Sequence, residues 1–183
     1  MNIIIRQERP VDYIETEKVV KSAFANAEHS DQDEHNLVSR IRKSEAFIPE
    51  LSLVAVDKNH HQLVGHILLS KIKIKNENKT SESLALAPLS VVPDYQNKGI
   101  GRHLILEALS KAKTLGYDSV VVLGHSEYYP KFGFKKASLW GIKPPFEVPD
   151  EAFMLIELRK NALKNVKGIV EYPSVFFKNN VMG

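Results

Sequence analysis

The sequence predicts an α/β fold, and three consecutive segments carry this prediction. Leu84–Val92 is a continuous apolar run, typical of a strand that is covered on both faces of a sheet. In Gly99–Leu115, apolar residues recur every three or four positions, the pattern of a helix with one buried face. Ser119–Leu123 is again a short apolar strand pattern. A strand, a helix and a strand in this order form a crossover unit with two parallel strands.

The first part of the chain predicts one strand and two helices. Ile3–Ile5 is a β-branched run before Arg9-Pro10, which predicts a short strand. A helical period begins at about Val11, where Tyr13, Glu17, Val20 and Phe24 share one face, with Ile14 beside them. A polar segment covers residues 26–36. The second helix is predicted from Leu37, Val38, Ile41 and Phe47.

A β-hairpin is predicted next. Leu51–Val56 is an apolar run that ends at the polar turn Asp57–His60, and a partner strand starts near Leu63. In that partner strand, Ile72 and Ile74 alternate with three lysines, which is the pattern of a half-exposed strand.

Two further features concern the later strands. Pro88 interrupts the apolar run Leu84–Val92, and proline has no N–H to donate, so a bulge or an interrupted pairing is expected there. Phe153–Leu158 predicts one late strand, whereas the residues after Asn161 match no element.

Composition and charge exclude several classes of protein. The 25 basic and 22 acidic residues give a net charge of +3, too balanced to favour a nucleic-acid-binding or membrane-surface protein. The absence of cysteine excludes disulfides, thiolate metal ligands and a cysteine nucleophile. The N-terminal MNIIIRQERP is too short an apolar run for a signal peptide, and no stretch approaches membrane-spanning length. A cytoplasmic protein without a metal is therefore expected.

The segment QNKGIGR (residues 96–102) lies between the apolar strand and the long helix. Its two glycines allow the backbone to approach a ligand closely, and the free N–H groups of a helix start suit a diphosphate. The spacing equally allows a tight turn that only packs the helix onto the sheet. Two other phosphate motifs are excluded. Leu104 occupies the third glycine position of the dinucleotide fingerprint, and the Gly-Lys-Ser/Thr tripeptide of the P-loop occurs nowhere in the sequence.

The eleven residues VVPDYQNKGIG (91–101) closely resemble the acetyl-CoA-binding signature of the GCN5-related N-acetyltransferases, the GNAT family. The strand before them, the helix after them and the order of elements from about Ile4 to Leu158 fit the same pattern. The resemblance implies a three-layer α/β/α fold with a mixed central sheet whose fourth and fifth strands splay apart. It also implies an enzyme that transfers the acetyl group of acetyl-CoA to an amine.

The resemblance assigns roles to particular positions. Backbone groups of Leu89, Ser90 and Val91 are expected to meet the pantetheine arm and the thioester carbonyl, with the N–H of Val91 polarising that carbonyl. The pyrophosphate is expected on the backbone N–H groups of Asn97, Lys98, Gly99, Ile100, Gly101 and Arg102. Tyr129 precedes Gly133-Phe134 by four residues, the spacing of the family tyrosine that protonates the departing thiolate. Tyr128 is the alternative acid, and packing of both rings over the sheet is the structural alternative.

The sequence departs from the family pattern in the segment after the second apolar strand, and it does not identify the general base. The segment after Ser119–Leu123 is shorter than usual, lacks the family asparagine, and has Pro130 directly after the tyrosine. No residue is singled out as the base that takes the proton of the amine. The candidates are Glu28, Glu34, His35, His125 and Glu127, with ordered water as an alternative. The acidic 26–36 segment either attracts a cationic amine or is a solvated loop.

These observations predict an N-acetyltransferase domain at residues 1–160 and a C-terminal extension at 161–183 packed on the same domain. The expected partners are acetyl-CoA and a small-molecule or peptide amine, without nucleic acid or membrane, in a monomer or homodimer. The alternative function is a non-catalytic CoA-binding module, a sensor or interaction subunit that keeps only the phosphate site.

Overall fold

The computed structural model describes residues 1–177, which form three α-helices and nine strands of one sheet. The helices are α1 (Tyr13–Phe24), α2 (Glu34–Arg42) and α3 (Ile100–Thr114). The strands are β1 (Ile3–Gln7), β2 (Ser52–Asp57), β3 (Gln62–Lys75), β4 (Thr80–Val91), β5 (Ser119–Leu123), β6 (Lys135–Lys136), β7 (Ile142–Lys143), β8 (Phe153–Glu157) and β9 (Gly168–Glu171).

The sheet is mixed and partly open, as the resemblance implied. Its main order is β1-β2-β3-β4-β5-β8-β6, and β9 pairs with both β3 and β7. Neighbours from β1 to β4 are antiparallel, whereas β4 and β5 are parallel. β4 and β5 pair only at Leu84 with Val120 and at Ala85 with Val121. Beyond those positions the two strands diverge, and we call the gap between them the wedge.

A bulge in β4 lies at the start of the wedge. Ile67 of β3 pairs with Leu89, and Leu69 pairs with Leu86. The two β4 residues between them, Ala87 and Pro88, therefore face one residue of β3, which defines a bulge. The peptide bond between Ala87 and Pro88 is cis. The irregularity predicted at Pro88 is confirmed.

Helices cover both faces of the sheet. α3 buries an apolar stripe against β1 to β4, formed by Ile100, Leu104, Ile105, Ala108 and Ala112. On the opposite face, Val20 of α1 and Ile41 of α2 pack against Leu68 of β3. The three-layer arrangement follows from this division. None of the helices within residues 1–177 is both long and apolar enough to cross a membrane.

The structure corrects two details of the predicted helices. The buried side of α1 is formed by Thr16, Val19 and Val20, while Ile14 is 74% exposed. Ile14 precedes Thr16 by two residues, which places it on nearly the opposite side of a 3.6-residue helix. α2 ends at Arg42, so Phe47 lies outside it.

The residues after Asn161 contain a strand that the sequence did not predict. β9 pairs with β3 at Lys73, Ile74 and Lys75. Gly168 starts this strand with a φ of +139°, and a Cβ there would lie 2.1 Å from the carbonyl oxygen of Lys75. β9 is thus part of the same sheet as the rest of the chain. The boundary at residue 160 stays a prediction, and residues 178–183 lie outside the described part.

Candidate functional site

Backbone groups of β4 face the wedge. The N–H of Val92 donates to the carbonyl of Val64 on β3 at 2.9 Å. Since successive residues of a strand direct their N–H groups to opposite edges, the N–H groups of Leu89 and Val91 face away from β3, toward the wedge. The backbone of Ser90, which pairs with His66, faces β3. Of the three expected backbone contacts, two are therefore open to a ligand in the wedge.

The 96–102 segment forms the start of α3 beside the end of β4. Asn97 and Gly99 adopt left-handed conformations, with φ of +62° and +84°, and the helix begins at Ile100. His103 N–H donates to the carbonyl of Gly99, so the N–H groups of the first turn before it lack intrahelical partners. The Gln96 side chain donates to the carbonyl of Val91 at 2.9 Å, which ties this segment to the wedge.

Two basic side chains belong to the segment that carries these N–H groups. Lys98 and Arg102 are both exposed, and the first turn of α3 contains no acidic residue. The Lys98 ammonium lies 5.5 Å from the centre of the Tyr95 ring. The Tyr95 hydroxyl in turn donates to Asp57 at 2.6 Å, and this hydrogen bond is the main cause that lowers the pKa of Asp57 to about 2. Helix dipole and side chains together favour an anion here.

Gly101 brings the start of α3 against the wedge. A Cβ at this position would lie 3.1 Å from the Tyr128 hydroxyl oxygen and 3.8 Å from Cδ2 of Leu89. Tyr128 therefore reaches the anion-binding end of the site from the loop after β5. Burial raises the pKa of Tyr128, and the charge of Arg102 opposes that rise.

Tyr129 lies deeper than Tyr128. Its ring is 8% exposed and packs edge-on against Phe134 at 5.6 Å between centroids. Within residues 1–177 its hydroxyl has no hydrogen-bond partner. Burial, followed by the proximity of Tyr128, raises the pKa of Tyr129 well above its ordinary value. The hydroxyl thus stays protonated at neutral pH, as a proton donor must.

Gly124 is a site residue that sequence reasoning missed. A Cβ at Gly124 would lie 2.5 Å from Cε2 of the Tyr129 ring, far closer than a real contact allows. Only glycine lets the ring lie over the chain directly after β5. A glycine at a strand end was visible in the sequence, but its contact with a residue five positions later was not.

The structure places the candidate bases in two separate regions. His125 and Glu127 are exposed in the loop that carries Tyr129, whose N–H donates to the carbonyl of His125. Glu28, Glu34 and His35 belong to the connection between α1 and α2 or to α2 itself.

Internal hydrogen bonds organise the acidic 26–36 segment. The Ser30 hydroxyl donates to Glu34, and Asp33 pairs with Arg40 at 2.9 Å. Part of its negative charge is therefore already paired within the protein.

A buried polar network that the sequence did not indicate lies beside Ser90, on the same face of the sheet as its side chain. His66 is fully buried, and its Nε2 is 2.9 Å from the Ser52 hydroxyl, which itself donates to Glu8. Because that hydroxyl has one hydrogen, Nε2 must be the donor to Ser52, and Nδ1 is left as an acceptor. Arg42 completes the network with an ion pair to Glu8 at 2.9 Å.

The imidazole of His66 is neutral in this setting. Burial, and secondarily the charge of Arg42, lowers the pKa of His66 to about 3. Neither its Nδ1 nor the buried hydroxyl of Ser90 has a hydrogen-bond partner among residues 1–177. His66 and Ser90 pair across β3 and β4, so their side chains share one face of the sheet. No three His, Cys, Asp or Glu residues in this range are grouped as metal ligands.

A strand bulge, a splayed parallel pair and a glycine-rich helix start together define an acetyltransferase of the GNAT class. A model of the GNAT acetyltransferase domain matches residues 49–136. The chain is 31% identical to the uncharacterized N-acetyltransferase YhbS of Escherichia coli K12, over 95% of its own length and 98% of that protein. This chain therefore belongs to the GNAT family of acetyltransferases.

Further similarities support the assignment. The chain is 37% identical to the uncharacterized N-acetyltransferase YjhQ of Escherichia coli K12 over 64% of this chain and 65% of that protein. The crystal structure of Escherichia coli YhbS in complex with CoA superposes with a TM-score of 0.86 at 28% identity, covering 96% of this chain and 92% of that one. A GNAT acetyltransferase from Brucella melitensis in complex with acetyl-CoA superposes with a TM-score of 0.78 at 31% identity, covering 96% and 99%.

Proposed function

We propose that this acetyltransferase binds acetyl-CoA in the wedge and transfers the acetyl group to a primary amine. The observation that carries the proposal is the divergence of β4 and β5 after Ala85 and Val121, with the N–H of Val91 facing into the gap. The start of α3, a site for a diphosphate, lies directly beyond it. The CoA and acetyl-CoA complexes of the two similar structures support the same ligand.

The binding roles follow from this placement. The N–H groups of Asn97 to Arg102 hold the pyrophosphate, and the side chains of Lys98 and Arg102 add charge attraction. Leu89 and Val91 offer N–H groups to the pantetheine amides and to the thioester carbonyl. The backbone groups of Ser90 hold β4 against β3, so they do not contact the cofactor.

The reaction is a direct transfer in a ternary complex. The nitrogen of the neutral amine attacks the thioester carbon, and the N–H of Val91 stabilises the negative charge that forms on the carbonyl oxygen. The C–S bond then breaks, and Tyr129 supplies a proton to the departing sulfur. The amine loses its extra proton to water, or to His125 or Glu127 in the same loop, and a proton from solvent restores the Tyr129 hydroxyl. The products are the acetylated amine and CoA with a free thiol.

Paired tyrosine variants test the acid. Tyr129→Phe removes the hydroxyl and keeps the ring packed on Phe134, so turnover should fall by about 10²–10⁴-fold while acetyl-CoA affinity changes little. Tyr128→Phe, the matched control, should alter acetyl-CoA binding more than turnover, because its hydroxyl lies beside Gly101. Kinetics with free-thiol detection and calorimetry measure both. The reverse pattern would assign the acid to Tyr128, and full activity of both variants would refute a tyrosine acid.

The alternative of a non-catalytic CoA-binding module makes a different prediction. Both functions require acetyl-CoA binding at α3, but only the enzyme releases CoA thiol in proportion to acetylated amine. Acetyl-CoA binding without amine-dependent thiol release, over a panel of small amines and peptides, would favour the module.

A further inference from the structure

An apolar pocket lies at the deep end of the wedge. It has a volume of about 230 Å³ and is lined by Ala85, Leu86, Ala87, Val121, Leu123, Phe146, Tyr172, Phe176 and Phe177. Aliphatic side chains of β4 and β5 form one part of its wall, and aromatic rings from the chain before β8 and after β9 form the other. Apart from the Tyr172 phenol, none of these side chains is ionisable.

The aromatic wall is a packed cluster. The Phe146 ring stacks on Tyr172 at 5.9 Å between centroids, with 18° between their planes. Phe146 also meets Phe153 edge-on at 6.4 Å, and Tyr172 lies 5.0 Å from Phe176. These mutual contacts hold the rings in place around the cavity. Phe146 is nevertheless 37% exposed, so this part of the aromatic wall is accessible from solvent.

The pocket continues the proposed site beyond the reactive end of acetyl-CoA. The pyrophosphate site at α3 follows Val91 in the chain, whereas the pocket wall at Ala87 precedes Leu89 by two residues, about 7 Å along a strand. A cofactor that enters from α3 reaches Val91 and Leu89 before it reaches the pocket. A second molecule in the pocket thus faces the thioester from the other side.

We infer that this pocket binds the carbon skeleton of the acceptor, which is a primary amine on a short chain attached to an aromatic or branched aliphatic group. This inference rests on the proposed function and specifies its substrate class. A lining without charged side chains favours apolar groups, because a polar group buried without hydrogen-bond partners loses its hydration.

The volume of the pocket restricts the class of acceptor further. A cavity of about 150 Å³ lined by apolar side chains holds a benzene molecule. The present 230 Å³ therefore accommodates one ring together with a short arm. A polyamine would leave its charges unpaired in this pocket, and a multi-ring aminosugar would exceed it. The reactive amine stays outside the pocket, at the thioester.

Matched amines and matched variants test the inference. With saturating acetyl-CoA, the Michaelis constant for phenethylamine should be at least about tenfold lower than that for ethylamine, because only phenethylamine buries a ring among aromatic side chains. Phe146→Ala should raise the Michaelis constant for phenethylamine by about fivefold or more and leave those for ethylamine and acetyl-CoA unchanged. Leu139→Ala, at a 67% exposed position outside the lining, should change none of these.

Two kinetic outcomes would overturn the inference, and a third would overturn the proposed function instead. If spermidine or ethylamine is preferred and Phe146→Ala has no effect, the acceptor binds elsewhere while the proposed function stands. If Phe146→Ala changes the Michaelis constant for acetyl-CoA or the preference among longer acyl-CoA esters, the pocket holds the acyl group instead. If no amine is acetylated, the proposed function fails. Calorimetry of phenethylamine with the protein–CoA complex then tests binding in the pocket independently of catalysis. No binding, or equal binding by the wild type and Phe146→Ala, would refute the inference.

Discussion

Replacing His66 by glutamine tests the buried polar network that His66 forms with Ser52, Glu8 and Arg42. The amide of the new glutamine can donate to the Ser52 hydroxyl as Nε2 of His66 does, but it does not titrate. In the wild-type protein the folded-state pKa of His66 is lowered to about 3 from 6.5. Above pH 6.5 neither state binds the proton. As the pH falls below 6.5, the unfolded chain takes up a proton that the folded protein does not, and stability declines.

The size of this decline follows from the pKa difference. The free energy of unfolding should fall by up to about 1.4 kcal/mol per pH unit, or about 2 to 3 kcal/mol between roughly pH 7 and pH 4.5. His66→Gln should lack this loss, so its free energy of unfolding should rise relative to that of the wild type as the pH falls. The carboxyl groups of Asp12 and Asp57, whose pKa values are lowered, destabilise the fold only at lower pH.

Urea unfolding followed by the fluorescence of Trp140, the single tryptophan, measures the effect at each pH. His103→Gln, at an exposed position of α3, is the matched control and should keep the wild-type pH dependence. Equal pH slopes for the wild type and His66→Gln would refute the reasoning, because they would mean that the folded protein admits a proton at His66.

Three further predictions concern the site and its support. Gly101→Val should weaken acetyl-CoA binding by at least about tenfold in calorimetry, because the valine side chain would fill the space beside the Tyr128 hydroxyl. The helical circular dichroism signal should stay unchanged. An unchanged affinity would mean that the diphosphate binds elsewhere. Gly124→Ala should displace the Tyr129 ring and lower kcat by about tenfold or more, and unaltered kcat would argue against Tyr129 as the acid. Arg42→Met leaves the Glu8 carboxylate buried and unpaired, so urea unfolding should show a loss of about 3–5 kcal/mol, whereas a loss under about 1 kcal/mol would mean that Glu8 becomes protonated or hydrated.

The sequence determined the elements whose signals are local. The period of α3, its start after two glycines and the apolar runs of β4 and β5 depend on neighbouring residues, and the structure reproduces them within one or a few residues. Pro88 predicted the bulge because proline lacks an N–H donor and therefore interrupts strand pairing at any place in a sheet. The motif at residues 91–101 indicated the family for the same reason, since phosphate binding at a helix start needs consecutive residues.

Tertiary structure decided everything that depends on distant contacts. β9 carries little strand signal of its own and exists through its pairing with β3. Ile14 lies on the exposed side of α1 because the packing of α1 on β3 selects the face with Thr16 and Val20.

The site shows the same division between local pattern and distant contact. The register between β3 and β4 turns the Ser90 backbone away from the wedge and sets its side chain beside His66. The aromatic pocket is assembled from residues 85 to 177. A linear pattern specifies which residues can bind a phosphate or donate a proton, whereas only the folded chain specifies which of them meet, because side chains far apart in sequence are brought together by the packing of the whole sheet.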